Sequence, residues 1–138
     1  MNVLFDTNIV LDALLDREPF GRQAIQLFNA IEEGRIQGFL CANSVTTVFY
    51  LMQKGAGRQK ACRLIRLLLE LFDITPVTRG VIEDALDLPF EDFEDGVIYQ
   101  AAVNVNADGI VTRNRKDFTH AKIAIYSPVE VLAILDRK

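Results

Sequence analysis

Histidine and cysteine are scarce in this chain of 138 residues, which contains one histidine, His120, and two cysteines, Cys41 and Cys62. These three side chains cannot complete the tetrahedral shell of a structural zinc site. The cysteines form no CxxC pair, and the N-terminus lacks the basic stretch and apolar core of a signal peptide. We therefore expect two reduced thiols and a cytoplasmic protein.

Long apolar runs and several enzyme motifs are also missing. No apolar run approaches the roughly 20 residues that span a bilayer, so we expect no membrane segment. The sequence contains no GxSxG, no P-loop and no GxGxxG. His120 has no neighbouring nucleophile with which to form a triad, and we predict that it is a surface residue. Cys41 ends an apolar run, which is typical of a buried packing thiol.

The composition is typical of a globular protein, and the net charge argues against a protein that coats nucleic acid by bulk electrostatics. Half of the residues are hydrophobic, a quarter are charged, and the formal net charge is −4. The length fits a single domain covering residues 1–138. An enzyme that binds nucleic acid through metal ions stays possible, because acids gathered to hold a cation count as negative when the metal is left out.

Short apolar runs alternate with longer helical stretches, which predicts an α/β fold with a mostly parallel central sheet flanked by helices. The predicted strands are Asn2–Asp6, Gly38–Cys41, Asp73–Val77, Gly109–Thr112 and Ile123–Tyr126. The predicted helices are Ile9–Leu15, Gly21–Glu33, one capped by Asn43 or Ser44, Arg58–Leu71, one capped by Thr78 and running to Leu86, Phe93–Val105 and Val129–Leu135. Gly34 is placed to end the second helix.

Acidic residues follow or flank several of the predicted buried segments. Asp6 ends the first strand, Asp117 follows the strand Gly109–Thr112, and Asp95 heads the buried face of the helix Phe93–Val105. In parallel sheets, ligands bind beyond the carboxyl ends of the strands. Each acid alone also fits a helix cap or a local ion pair. Together they predict a site for a hard cation, which prefers oxygen ligands.

Three segments, in this order and spacing, resemble the PIN domain. They are Phe5-Asp6-Thr7-Asn8-Ile9, Asp92-Phe93-Glu94-Asp95, and Val111-Thr112-Arg113-Asn114 leading to Asp117-Phe118. The resemblance covers nearly the whole chain and implies a PIN-like three-layer sandwich. It also implies a metal-dependent ribonuclease with Mg²⁺ or Mn²⁺ as cofactor. Many small bacterial members of the family are VapC-like toxins neutralised by an antitoxin.

The resemblance also implies roles for individual residues. Asp6, Asp95 and Asp117 would be the catalytic, metal-binding acids. The residues expected to support these acids or the substrate are Thr7, Asn8, Ser44, Thr112 and Asn114. Arg113 and Arg115 neighbour Asp117 in sequence, so we expect them to contact phosphate.

One position departs from the family pattern. Members usually carry a glutamate about six residues beyond the serine that matches Ser44, and this chain has Tyr50 there. A phenol is largely protonated near neutral pH and is a poor ligand for Mg²⁺. Resemblance to a subgroup with tyrosine here and the longer Asp-Phe-Glu-Asp motif implies that Asp92 or Glu94 supplies the missing carboxylate.

Three functions follow from these features. The first is a metal-dependent endoribonuclease, the toxin of a toxin-antitoxin pair. The second is a catalytically impaired PIN scaffold that binds nucleic acid or protein, which Tyr50 favours. The third, a phosphohydrolase with Asp6 as nucleophile, is disfavoured because Asn8 stands where a second aspartate is needed.

The expected partners are an RNA substrate, an antitoxin and a second copy of the chain, with no membrane. The leucine-rich segment Arg58–Leu71 is the candidate dimer surface. Its run Leu67-Leu68-Leu69 places apolar residues on almost every side of a helix, more than one core face can bury.

Overall fold

A computed structural model describes residues 1–137 as five strands and seven α-helices. The strands are β1 (Asn2–Phe5), β2 (Gln37–Cys41), β3 (Asp73–Thr75), β4 (Gly109–Val111) and β5 (Ala124–Tyr126). The helices are α1 (Thr7–Leu15), α2 (Gly21–Glu32), α3 (Ala42–Ala56), α4 (Arg58–Leu71), α5 (Arg79–Leu86), α6 (Phe93–Asn104) and α7 (Pro128–Asp136). A short 3-10 helix covers Arg115–Phe118. The predicted α/β fold is confirmed.

The differences from the sequence-based prediction lie at the ends of elements. Helix α1 begins at Thr7 rather than Ile9, because the carboxylate of Asp6 accepts a hydrogen bond from the backbone N–H of Thr7 and caps the helix. The predicted capping of α3 by Asn43 or Ser44 is wrong, since the helix already begins at Ala42 and both residues lie inside it. Gly34 follows the end of α2, as predicted, with a φ of 76° that suits glycine.

All strands are parallel, in the order β3-β2-β1-β4-β5. The chain therefore adds β2 and β3 on one side of β1 and β4 and β5 on the other, which creates a switch point between β1 and β4. Phe5 of β1 pairs with Val111 of β4, and the N–H of Asp6 donates to the carbonyl of Val111 at 3.0 Å. Asp6 and Thr112 therefore lie side by side, each directly after the end of its strand.

Alternate side chains of the strands supply two cores, one on each face of the sheet. Val3 and Phe5 pack with residues of α1, α2, α3, α4 and α7, and the ring of Phe5 contacts Phe72 edge to face with centroids 5.0 Å apart. Leu4 and Ile110 pack on the other face against α5 and α6. Helices cover both faces, so functional groups can reach solvent at the strand ends.

Helix α4 exposes part of its leucine run, as its sequence predicts. Leu68 is buried, whereas Leu67 and Leu69 are 59% and 53% exposed. The dimer expected on this surface stays a prediction. None of the helices in residues 1–137 is both long enough and apolar enough to cross a bilayer.

Candidate active site

Asp6 stands at the switch point with its carboxylate held on both oxygens. Its Oδ1 accepts a hydrogen bond from the N–H of Thr7 at 2.8 Å, and its Oδ2 accepts one from the Thr112 hydroxyl at 2.7 Å. The residue is only 6% exposed. The two interpretations of Asp6 from sequence, a helix cap and a site acid, are therefore compatible, because the capped carboxylate also reaches the loop that follows β4.

A network of hydroxyl groups surrounds this carboxylate. The Thr112 hydroxyl also accepts a hydrogen bond from the N–H of Asn114 at 3.0 Å, which ties the loop after β4 to Asp6. The Thr7 hydroxyl donates to the hydroxyl of Ser44 at 2.7 Å, and all three hydroxyl-bearing residues are buried. Ser44 reaches Thr7 because it lies in the first turn of α3. Asn8, beside Thr7 on α1, is partly buried.

Replacing Thr112 by valine should destabilise the protein by about 1.5–3 kcal/mol, because it removes a hydrogen bond to a buried carboxylate without changing the side-chain shape. Urea unfolding of the metal-free protein measures this loss. Thr75→Val is the matched control: Thr75 is also fully buried, but its hydroxyl contacts only uncharged groups, the Leu40 carbonyl at 3.4 Å and the thiol of Cys41. Equal losses in the two variants would contradict a special role for the Thr112–Asp6 bond.

The N-terminus of α6 brings further acids to the same end of the sheet. Asp92 caps the helix by accepting a hydrogen bond from the N–H of Glu94 at 2.8 Å. Asp95, one residue further, is partly buried and precedes the fully packed segment of α6, as its place on the apolar stripe predicts. Asp92 and Glu94 are exposed.

A cavity of about 240 Å³ opens between the start of α6 and the 3-10 helix. Asp95 and Asp117 both line it, and so does Lys116, which precedes Asp117 in the sequence. Its lining residues are Phe90, Glu91, Asp92, Asp95, Lys116, Asp117, Thr119 and His120. His120 is exposed, as predicted, but its ring lies 6.3 Å from that of Phe90 at the wall of this cavity. Sequence reasoning gave His120 no functional place.

Burial and the charges of neighbouring acids raise the pKa of Asp95 and of Asp6. Desolvation raises the pKa of Asp95 to about 7, reinforced by the negative charges of Asp92, Asp6, Asp117 and Glu94. Burial also raises the pKa of Asp6, although the hydrogen bonds from Thr112 and Thr7 oppose this, and the charges of Asp117 and Glu94 add to it. The five acids are therefore close enough to interact, and Lys116 is the only lysine or arginine among those of residues 1–137 that line the cavity.

The chemistry of these donors fits a hard divalent cation. Every candidate ligand is a carboxylate oxygen, the ligand that Mg²⁺ and Mn²⁺ prefer. A bound cation would also offset the desolvation and the neighbouring negative charges that raise the pKa of Asp95. Among residues 1–137, no three acidic, histidine or cysteine side chains lie close enough to form a closed metal cluster. Mg²⁺ does not require one, because it retains several waters and binds through one or two carboxylates.

Some residues expected at the site lie elsewhere or are occupied by other contacts. Arg113 forms an ion pair with Asp12 of α1, and Arg115 forms one with Glu130 of α7. Tyr50 lines a separate cleft on α3 with Thr46, Thr47 and Leu51, away from the acidic cavity.

The sequence between β1 and the 3-10 helix matches a family model described as the PIN domain over residues 2–116. The chain belongs to the PIN domain family. It is 25% identical over 136 residues to the protein named Ribonuclease VapC1 of Aquifex aeolicus, covering 94% of this chain and 88% of that protein.

Solved structures of other proteins have a similar fold. One is a chain of a toxin-antitoxin complex from Klebsiella pneumoniae, with a TM-score of 0.70, 26% identity, and coverage of 91% of this chain and 97% of that one. Another is a chain of FitAcB from Neisseria gonorrhoeae, with a TM-score of 0.73, 20% identity, and coverage of 92% and 98%. At 20% identity, the similarity to FitAcB supports the fold alone.

Proposed function

We propose that this PIN protein is a metal-dependent endoribonuclease and the toxin of a toxin-antitoxin pair. The observation that carries the proposal is that Asp95 feels the negative charges of Asp6 and Asp117 near the switch point of the sheet, which add to desolvation in raising the pKa of Asp95 to about 7. The relative named as a ribonuclease and the chain from a toxin-antitoxin complex support the activity and the partner.

The side chains divide the work at the site. Asp6, Asp95 and Asp117 would hold Mg²⁺ or Mn²⁺, which, when bound, supplies positive charge to the phosphodiester and lowers the pKa of water. Asp6 stays oriented by its bonds to Thr7 and Thr112, so its carboxylate needs no reorganisation during the reaction. Lys116 lines the cavity beside Asp117 and is the cation best placed to contact a phosphate.

Asp92 and Glu94 are the two candidates for the carboxylate that Tyr50 does not provide. One oxygen of Asp92 caps α6, and the residue lines the cavity. Glu94 is exposed, and its charge raises the pKa of both Asp6 and Asp95. Comparing Asp92→Asn with Glu94→Gln decides between them, because only loss of the true ligand weakens Mn²⁺ binding.

The chemistry of the RNA ends tests the reaction. Hydrolysis by water yields a 5′-phosphate and a 3′-hydroxyl, whereas attack by the neighbouring ribose hydroxyl yields a cyclic phosphate. We expect the former from single-stranded RNA cut in Mn²⁺, and a single 2′-deoxy substitution at the cut site should leave the rate within about threefold, since the 2′-hydroxyl is not the nucleophile. Mass spectrometry identifies the ends, and a cyclic phosphate product would contradict the mechanism.

A second function, a PIN scaffold that binds without cutting, is favoured by Tyr50, which stands where the family usually carries a glutamate. Such a module would bind its partner equally well with and without divalent metal. The partners proposed for the enzyme, an antitoxin and a second copy of the chain, would apply to it as well. Light scattering at micromolar concentration tests the homodimer, and a strict monomer would contradict it.

A further inference from the structure

A buried acid outside the site, Asp12, is held by arginines alone. Asp12 lies on α1 and is completely buried. Its Oδ2 lies 3.0 Å from Nε of Arg113, and its Oδ1 lies 3.7 Å from Nη1 of Arg17. Within residues 1–137 neither oxygen has a partner in hydrogen-bond geometry, so the contacts are ion pairs. A buried carboxylate is costly, and here only the two guanidinium groups compensate it.

Arg113 is fixed from two directions. Its guanidinium contacts Asp12 on one side and stacks over the ring of Phe20, 4.2 Å from the ring centroid, on the other. Planar stacking and the ion pair together restrain a side chain that would otherwise have many rotamers. Arg113 therefore anchors the backbone to which it belongs.

That backbone is the loop that organises the site. The residue before Arg113 is Thr112, whose hydroxyl donates to Asp6, and the residue after it is Asn114, whose N–H donates to the same hydroxyl. The carbonyl of Asn114 in turn accepts a hydrogen bond from the N–H of Asp117 at 3.0 Å. Arg113 therefore lies within the segment 112–117, which contacts Asp6 through Thr112 and contains Asp117.

We infer that Asp12 is a positioning residue, which acts through Arg113 to hold the segment 112–117 so that Thr112 binds Asp6 and Asp117 faces the cavity. Asp12 touches neither the cavity nor any of the site acids. The pairing also gives Arg113 a different role from phosphate contact, because its guanidinium is engaged by Asp12 and Phe20. The consequence for catalysis rests on the proposed ribonuclease function, but the consequence for the loop does not.

The first test is Asp12→Asn, which keeps the shape of the side chain and removes its charge. We expect residue-resolved hydrogen exchange in EDTA to show the amides of Asn114 and Asp117 exchanging at least about tenfold faster, with β1 unchanged. In Mn²⁺, we expect kcat for single-stranded RNA to fall roughly 10- to 100-fold, the effect typical of residues that orient metal ligands.

Val10→Ala is the matched control for a purely structural loss. Val10 is buried on the same helix in the hydrophobic core, and its side chain has no polar group with which to hold the loop after β4. We expect this variant to leave the Asn114 and Asp117 amides protected and kcat within about twofold at temperatures where it stays folded.

A double variant, Asp12→Asn with Arg113→Gln, keeps the inference testable if the single variant does not fold. Removing both charges leaves no unpaired buried ion, so folding should recover. If Asp12 positions the loop, activity stays low and the loop exchanges fast in this folded protein. If the pair only stabilises the fold, both return to the wild-type values and the inference is overturned.

The outcomes separate this inference from the proposed function. A wild-type protein that cleaves RNA while Asp12→Asn matches it in kcat and loop exchange would overturn the inference alone. A lower KM for RNA in Asp12→Asn would also overturn it, because it would show that Arg113 binds phosphate once released. If the wild-type protein cleaves nothing, the ribonuclease proposal fails, and the exchange data still decide whether Asp12 holds the loop.

Discussion

Asp6→Asn should lower the rate of Mn²⁺-dependent cleavage of single-stranded RNA by at least about 100-fold, the scale on which one preorganised charge-stabilising group matters. The substitution keeps the shape of the side chain but removes its negative charge from the point where β1 and β4 end. The new amide nitrogen also cannot accept the hydrogen bond that Thr112 donates to Oδ2. Single-turnover rates at saturating Mn²⁺ measure the effect.

Asp73→Asn is the matched control. Asp73 is exposed at the start of the edge strand β3, so it lies at the other end of the strands from the site. There it accepts a hydrogen bond from the side chain of Gln37. Its loss should leave cleavage within about twofold, because exposed substitutions away from the site rarely matter. An Asp6→Asn protein that folds and cleaves at the wild-type rate would rule out Asp6 as a metal-binding acid.

Asp95→Asn should make the metal-free protein more thermostable at pH 8, by roughly 3 °C or more in Tm. The pKa of Asp95 in the folded protein is about 7, above the ordinary value of 3.8. Between these pH values the folded state binds more protons than the unfolded state, so wild-type stability falls as pH rises from about 4 to 7. Asparagine carries no charge and escapes this loss.

The pH dependence distinguishes this effect from ordinary packing changes. Well below pH 4, Asp95 is protonated in both the folded and the unfolded state, so the two proteins should differ little in Tm. Saturating Mn²⁺ at pH 8 should raise the Tm of the wild-type protein more than that of Asp95→Asn, because the ligand stabilises only a state that binds it. A variant that is less stable than wild type by the same amount at pH 4 and pH 8 would contradict a raised pKa of Asp95 in the folded protein.

The parts of the site that sequence could predict are those fixed by strand ends. Alternating buried strands and helices imply a parallel sheet, and a parallel sheet brings the residues that follow its strands to one edge. This reasoning places Asp6 and Thr112 side by side, as the pairing of Phe5 with Val111 shows. Asp95 was placed by the apolar stripe of α6 in the same way.

The contact partners of individual side chains could not be predicted, because they depend on how the helices and strands pack. Arg113 lies near Asp117 in the sequence, which favours a phosphate contact, yet its guanidinium pairs with Asp12 on α1. Ser44 has the chemistry of a helix cap, but α3 begins two residues earlier and frees its hydroxyl for Thr7. His120 reaches the cavity wall only because the chain turns after the 3-10 helix, and no local pattern signals that turn.

If Asp6, Asp95 and Asp117 support RNA cleavage by holding a divalent cation, a titration of activity with metal is the most direct test. Protein stripped with EDTA should cleave single-stranded RNA at no measurable rate, and added Mn²⁺ should restore cleavage along a saturable curve. The curve should shift to higher Mn²⁺ concentration in Asp117→Asn. Cleavage by the stripped wild-type protein that persists in excess EDTA would contradict the account.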